Sequence, residues 1–227
     1  MNNEDDNDIL ILGSFAVILL SIGLYVHFKK KPSIQNSNIQ MVNQNKIVKH
    51  GDIIVSLPET KMDSYPALIV FGGLSFATSQ FMYDTMPKDM LYKAIVVFAN
   101  YNTDFKLVEG TLNALAAENK MAISSLSLFG FSAGGRKVWQ NASPRFKWIG
   151  GIDPSTYATD AVKAAPNIIM AFNPANWAGG SYPTITAGLP VVAAAVAKAG
   201  GIVEQPKLAH KNFPAYFWDK YKQQILA

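Results

Sequence analysis

The chain contains no cysteine. That excludes disulfides, a thiolate nucleophile and cysteine-bound metal centres, and it agrees with a reducing compartment. Charge is sparse too: Asp, Glu, Lys and Arg make up 16% of the 227 residues, too few for long solvated helices or disordered tails to dominate. The net charge of +4 comes from scattered lysines. Apart from Lys29-Lys30-Lys31 there is no basic stripe interleaved with aromatics, so nucleic acid is not an expected partner. Only three histidines occur, His27, His50 and His210, so imidazole chemistry has few places to sit. The sequence shows no internal repeat.

Apolar residues are plentiful, at 49% of the chain. Residues 9–28 read ILILGSFAVILLSIGLYVHF, and about 20 apolar residues suffice to cross a bilayer core. This run predicts a transmembrane helix. Acidic residues precede it (Glu4, Asp5, Asp6 and Asp8), and no small-residue cleavage site comes after it, which favours a signal-anchor over a cleaved signal peptide. Lys29, Lys30 and Lys31 come directly after the run, so the positive-inside rule puts the C-terminal domain on the cytoplasmic side of a single-pass protein. The expected organisation is an acidic tail at 1–8, a membrane span at 9–28 with the lipid bilayer as partner, a basic then Asn/Gln-rich tether at 29–45, and one globular domain at 46–227. Roughly 180 residues are enough for a sizeable core.

Within that domain, Lys46–Lys49 and Asp52–Leu57 flank His50-Gly51 as a hairpin. Apolar runs at Ala67–Phe71 and Ala94–Ala99 predict buried strands, and Ser124–Phe129, Phe146–Ile152 and Asn167–Phe172 read as further strands, with a last short strand at Gly201–Gln205. Helices are expected at Phe76–Met86, Phe105–Asn119, Gly134–Asn141, Leu189–Ala199 and Pro214–Ile225. Alternating strands and helices predict an α/β fold: a mostly parallel sheet with helices on both faces. In such sheets ligands bind beyond the carboxyl ends of the strands.

One strand end stands out. Leu126–Phe129 runs into Gly130-Phe131-Ser132-Ala133-Gly134-Gly135, a Gly-x-Ser-x-Gly turn between strand and helix. A serine on so sharp a turn needs small neighbours, and the turn aims a helix N-terminus at its hydroxyl. A serine hydroxyl needs a base, and the base needs an orienting group. His27 falls in the apolar run and His50 in the first hairpin, which leaves His210 as the base, in the expected order after the serine. Two strand ends could supply the orienting group. Asp153 ends the strand after the elbow helix, and Asn173 ends the next. A neutral amide would stabilise imidazolium less well than a carboxylate, so Asp153 is preferred and Asn173 remains the alternative. Asp160 and Asp219 lie away from strand ends. The oxyanion hole is expected from the backbone N–H of Ala133 and of Gly73 or Leu74, with Ser75 as a further side-chain donor.

With these residues in place, the chain resembles the α/β-hydrolase superfamily over residues 46–227. Gly130-Phe131-Ser132-Ala133-Gly134 resembles its nucleophile elbow, and Gly72-Gly73-Leu74 its oxyanion loop. Gly150-Gly151-Ile152-Asp153-Pro154 is similar to the Gly-Leu-Asp-Pro segment of pancreatic-type lipases, which carry their acid on the strand after the elbow. Most relatives carry the acid one strand later, where this chain has Asn173. The small core and the lack of long insertions are closer to compact esterases and cutinases, without an extensive lid. The resemblance implies acyl transfer to water with neither metal nor organic cofactor. The expected function is a membrane-anchored serine hydrolase acting on a small-molecule or lipid ester or thioester. The alternatives are a serine peptidase, and a catalytically silent hydrolase fold with a structural role, for example in a virion. Oligomeric state is not legible.

Overall fold

Largely apolar strands build the centre of the sheet because both of its faces are covered. The computed structural model describes residues 38–42, 45–162, 165–178 and 182–227. The strands are β1 (Asn38–Val42), β2 (Asn45–His50), β3 (Ile53–Pro58), β4 (Tyr65–Phe71), β5 (Ile95–Ala99), β6 (Ile123–Phe131), β7 (Phe146–Ile152), β8 (Asn167–Ala171) and β9 (Ile202–Glu204). They form one nine-stranded sheet in the order β1-β2-β3-β5-β4-β6-β7-β8-β9. The first pairs, through β3 with β5, are antiparallel. From β5 to β9 every pair is parallel. This is the expected mixed, mostly parallel sheet.

The helices are α1 (Ser79–Thr85), α2 (Lys88–Leu91), α3 (Phe105–Glu118), α4 (Gly134–Asn141), α5 (Pro183–Lys198) and α6 (Phe213–Leu226), with single 3₁₀ turns at Pro174–Asn176 and His210–Asn212. Side chains alternate across the strands. Leu68, Val70, Val96, Phe98, Phe129 and Phe131 face one core, shared with α1, α2 and α6. On α6 the residues Phe213, Phe217, Trp218, Tyr221 and Ile225 recur at helical spacing and are buried. Phe129 meets the Phe217 and Trp218 rings edge-on, with centroids 5.7 and 5.5 Å apart. Emptying such a site, as in Trp218→Ala, costs about 3–5 kcal/mol. Phe71 points to the other face, where its ring centroid lies 6.2 Å from Phe105 of α3.

The parallel strands end in step. Phe71 pairs with Gly130, Gly130 with Gly151, and Gly151 with Met170. The residues just past these strand ends, Gly72-Gly73, Ser132, Asp153 and Asn173, therefore emerge side by side along one rim.

Three expectations need correction. Residues 38–42, expected in a tether, pair with β2 as β1. The helix expected from Leu189 starts at Pro183 instead. Proline is tolerated in a first turn, and the single hydrogen bond lost at Pro190 is outweighed by burial of Ile185, Leu189, Val192 and Val196 at helical spacing.

The third correction concerns the membrane. Among the described residues no helix is long and apolar enough to cross one. The longest described helix, α5, has 16 residues and so extends about 24 Å, short of a hydrocarbon core of roughly 30 Å. The span expected at residues 9–28 lies outside the described residues. The transmembrane helix, the signal-anchor, the bilayer partner and the single-pass topology with a cytoplasmic domain find no support in any described helix.

Candidate active site

Ser132 sits at φ 53°, in the left-handed region, where a residue with a side chain is strained by roughly 1–3 kcal/mol. Main-chain bonds hold it there. Its N–H donates to Ile152 O at 3.1 Å, and its carbonyl accepts from Ser155 N at 2.8 Å and Gly135 N at 3.0 Å. The elbow is thus fastened to the end of β7. Gly130 and Gly134 permit the turn: a Cβ on Gly130 would run into the Gly134 backbone, and one on Gly134 would run into the carbonyls of Phe71 and Gly72. The small residues of the motif answer steric demands set by the start of α4 for Gly130 and by the end of β4 for Gly134. Helix α4 starts two residues after Ser132, with Ala133 at its N-cap.

Asp153 leaves β7 at φ 38°, a second left-handed residue, and its N–H donates to Ala171 O at 2.6 Å. Its carboxylate is fully buried. A buried charge needs partners, and here four donors converge on it. Oδ1 accepts from Asn173 N at 2.9 Å and from Trp177 Nε1 at 3.4 Å. Oδ2 accepts from Asn176 Nδ2 at 2.6 Å and meets His210 Nδ1 at 2.6 Å. With Nδ1–H donating to the carboxylate, the neutral ring keeps its lone pair on Nε2, where a base must have it.

The imidazole is held on several sides. Phe131, next to Ser132 in the chain, stacks on it at 4.5 Å between centroids. Trp177 approaches edge-on at 5.0 Å and Phe76 at 6.1 Å. The loop before His210 is tied down by its own backbone: Leu208 O accepts from Asn173 Nδ2 at 3.0 Å and from Asn176 Nδ2 at 3.1 Å.

Ser132, His210, Ala133 and Leu74 line one cavity of about 530 Å³. Asp153 lies beneath it, bonded to His210. Among the described residues no hydrogen bond joins Ser132 Oγ to His210; the two meet as walls of the same cavity. Nucleophile-to-base bonds in free enzymes are often long and tighten only with substrate. Gly73 lies against the serine, since a Cβ there would stand 2.6 Å from Ser132 Cβ and 3.0 Å from its Oγ.

Of the two expected loop donors, Gly73 is already engaged, because its N–H donates to Ala77 O at 2.5 Å. The N–H groups of Leu74 and Ala133 have no partner among the described residues and are free for a ligand. Ser75 also lines the cavity, at φ 55°. Asn173, the alternative orienting residue, makes no hydrogen bond to His210 among the described residues. Its backbone supports Asp153, and its side chain holds Leu208 and accepts from Ala175 N at 3.1 Å. Asp160 pairs with Arg136 at 3.5 Å, and Asp219 with Lys222 at 3.4 Å, both away from His210. His50 ends β2, in the first hairpin.

Sequence reasoning missed Asn176 and Trp177. Their signal was the polar Asn-Pro-Ala-Asn-Trp run just past the end of β8, at the rim where ligands bind. Among the described residues no group of three or more His, Asp or Glu side chains could hold a metal ion.

No protein-family model matches the chain, and no curated protein matches its sequence. Solved structures do match in three dimensions. Poly(aspartic acid) hydrolase-1 from Sphingomonas sp. KT-1 superposes with a TM-score of 0.52 at 12% identity, over 84% of this chain and 97% of that one. An IroE-like serine hydrolase from Shewanella oneidensis gives 0.52 at 13%, over 84% and 79%. Est1E from Butyrivibrio proteoclasticus gives 0.51 at 10%, over 85% and 100%. At such identities the likeness shows the fold: α/β-hydrolase-like.

Proposed function

We propose that this protein is a serine hydrolase that cleaves a carboxylic ester or thioester of a small molecule. One observation carries the reading: a fully buried Asp153 grips the Nδ1 edge of His210 at 2.6 Å, on the same cavity that exposes a strained Ser132. A structural ion pair would not need a nucleophile elbow beside it.

Ser132 Oγ attacks the acyl carbon while His210 Nε2 takes its proton. Asp153 steadies the imidazolium that forms, and its four donors hold the carboxylate in place. The oxyanion is held by the N–H groups of Ala133 and Leu74, each such donor being worth about 3–4 kcal/mol of barrier in comparable sites. His210 then gives its proton to the leaving oxygen or sulfur, which departs and leaves an acyl group on Ser132. Water attacks that acyl group with His210 as base, the acid is released and the serine is restored. The fold-level likeness to hydrolases supports the assignment of class.

A fluorophosphonate probe tests the reading. It should label the wild-type chain and leave Ser132→Ala unlabelled, and short p-nitrophenyl esters should be turned over only by the wild type. Folded wild-type protein that neither labels nor hydrolyses these esters would overturn it.

A further inference from the structure

We propose that the ligand of this cavity carries a carboxylate, bound by Lys137 and Arg136 one turn along α4 from the serine; the substrate class this implies depends on the hydrolase reading. The cavity lining contains Arg136 and Lys137 and neither Asp nor Glu. Two carboxylates adjoin residues of the lining, Asp153 beside His210 and Asp160 beside Arg136, and both are already committed. Asp153 is buried under His210. Asp160, with a side chain 6% exposed, lies 3.5 Å from Arg136 Nε and accepts from Tyr157 N at 2.9 Å. Lys137 has no ion pair and no side-chain hydrogen bond among the described residues. The cavity therefore holds one uncompensated positive charge, with a second cation beside it.

The helix gives no reason for that charge. Arg136 and Lys137 sit at the third and fourth positions of α4, whose first turn has no acidic residue. The positive end of a helix dipole disfavours cations there and favours acids. Two cations kept against that preference suit an anion brought from outside.

Arg136 is also positioned in advance. Its guanidinium lies 4.2 Å over the Tyr157 ring. Its Nε is buried without a hydrogen bond, so the approach to Asp160 is a Coulombic pair that does not occupy the donor. The terminal nitrogens have no partner among the described residues, leaving the fork that carboxylates accept bidentately. The rest of the lining is largely apolar, through Leu74, Phe76, Trp177, Tyr182 and Ile185. An ester with a hydrocarbon body and a terminal carboxylate matches both parts.

The mono-p-nitrophenyl ester of adipic acid and p-nitrophenyl hexanoate share six acyl carbons and differ in a terminal carboxylate against a methyl group. The wild type should favour the adipate ester in kcat/KM by at least about tenfold at low ionic strength, mainly through KM, with the ratio shrinking as salt is added. Lys137→Glu should reverse the order, and Arg136→Lys should reduce the ratio. Calorimetric titration of Ser132→Ala with monomethyl adipate and methyl hexanoate reads the carboxylate site without turnover. A marked preference for the adipate in binding, with neither nitrophenyl ester hydrolysed by the wild type, would sink the hydrolase reading and sustain the carboxylate site. Turnover of both esters with no preference, in rate or in binding, would overturn the carboxylate site and leave the hydrolase standing.

Discussion

Asn176 brings its side-chain amide to 2.6 Å from Asp153 Oδ2, the oxygen that also holds His210. The same amide reaches Leu208 O at 3.1 Å, so one side chain links the acid to the loop that carries the imidazole. Asn176→Ala removes a hydrogen bond to a charged group, worth about 1.5–3 kcal/mol. Expressed in the transition state, that corresponds to a loss of about ten- to a hundredfold in kcat, with a smaller change in KM. Steady-state kinetics on p-nitrophenyl acetate reads the split; unchanged kcat would show that the amide only fills space.

Exchanging the two strand-end residues separates their roles. Asp153→Asn swaps a carboxylate for an amide amid four donors and favours the wrong imidazole tautomer. It should lower kcat by about 10³–10⁴-fold, the scale known for such a change in a serine triad. Asn173→Ala keeps the acid and the backbone donor to it, and should lower kcat by about tenfold or less, the scale of the neutral bond to Leu208 O, the one of its two side-chain bonds that reaches the histidine loop. Equal losses in the two variants would remove Asp153 from its special position.

Gly73→Ala tests the close approach behind the serine. The added methyl would stand 2.6 Å from Ser132 Cβ and 3.0 Å from Ala77 Cβ. Neither neighbour is the tip of a flexible side chain, so the loop or the elbow must shift, at a cost of about 1–3 kcal/mol. The expected result is a lower Tm together with much slower fluorophosphonate labelling of Ser132. Wild-type labelling would mean the loop yields without disturbing the nucleophile.

At the far edge of the sheet, Glu204 on β9 accepts from Tyr216 at 2.9 Å and Lys220 at 2.5 Å, tying α6 to the last strand. Burial works against its charged form, but the bonds from Lys220 and Tyr216 outweigh it and hold the carboxyl below its ordinary 4.5. A depressed folded-state pKa stabilises the fold fully above the unfolded value and less as pH falls through the folded one. Wild-type stability should therefore decline on acidification below about pH 4.5 more steeply than that of Glu204→Gln. Urea titrations at several pH values measure this; parallel curves would refute it.

The strands and the elbow were legible because each answers a local demand. A strand covered on both faces must be apolar throughout, so Ala67–Phe71 and Ala94–Ala99 declare themselves. Gly130 and Gly134 betray the turn because no side chain fits there. His210 came from elimination, and Asp153 from its place at a strand end. Other features depended on contacts remote in sequence. That Gly73 N–H faces Ala77 O, and so leaves Leu74 as the free donor, is set by a turn with no composition signature. Asn176 and Trp177 matter because a carboxylate is buried beside them, and the chain does not announce which polar residues will surround a charge. The helix expected from Leu189 in fact begins at Pro183, because the apolar face of α5 runs on through Ile185. The long apolar run at 9–28 suggested an anchor, which no described helix supports.

The loop bearing His210 is gripped at a carbonyl, Leu208 O, by two asparagine amides. Every amino acid presents that atom in the same way. Lys207 and Ala209, both exposed, can drift through evolution or be replaced by design without dislodging the imidazole. Tolerance in this segment thus coexists with intolerance at the asparagines, and a library randomised at 207 and 209 should leave the position of the imidazole unchanged.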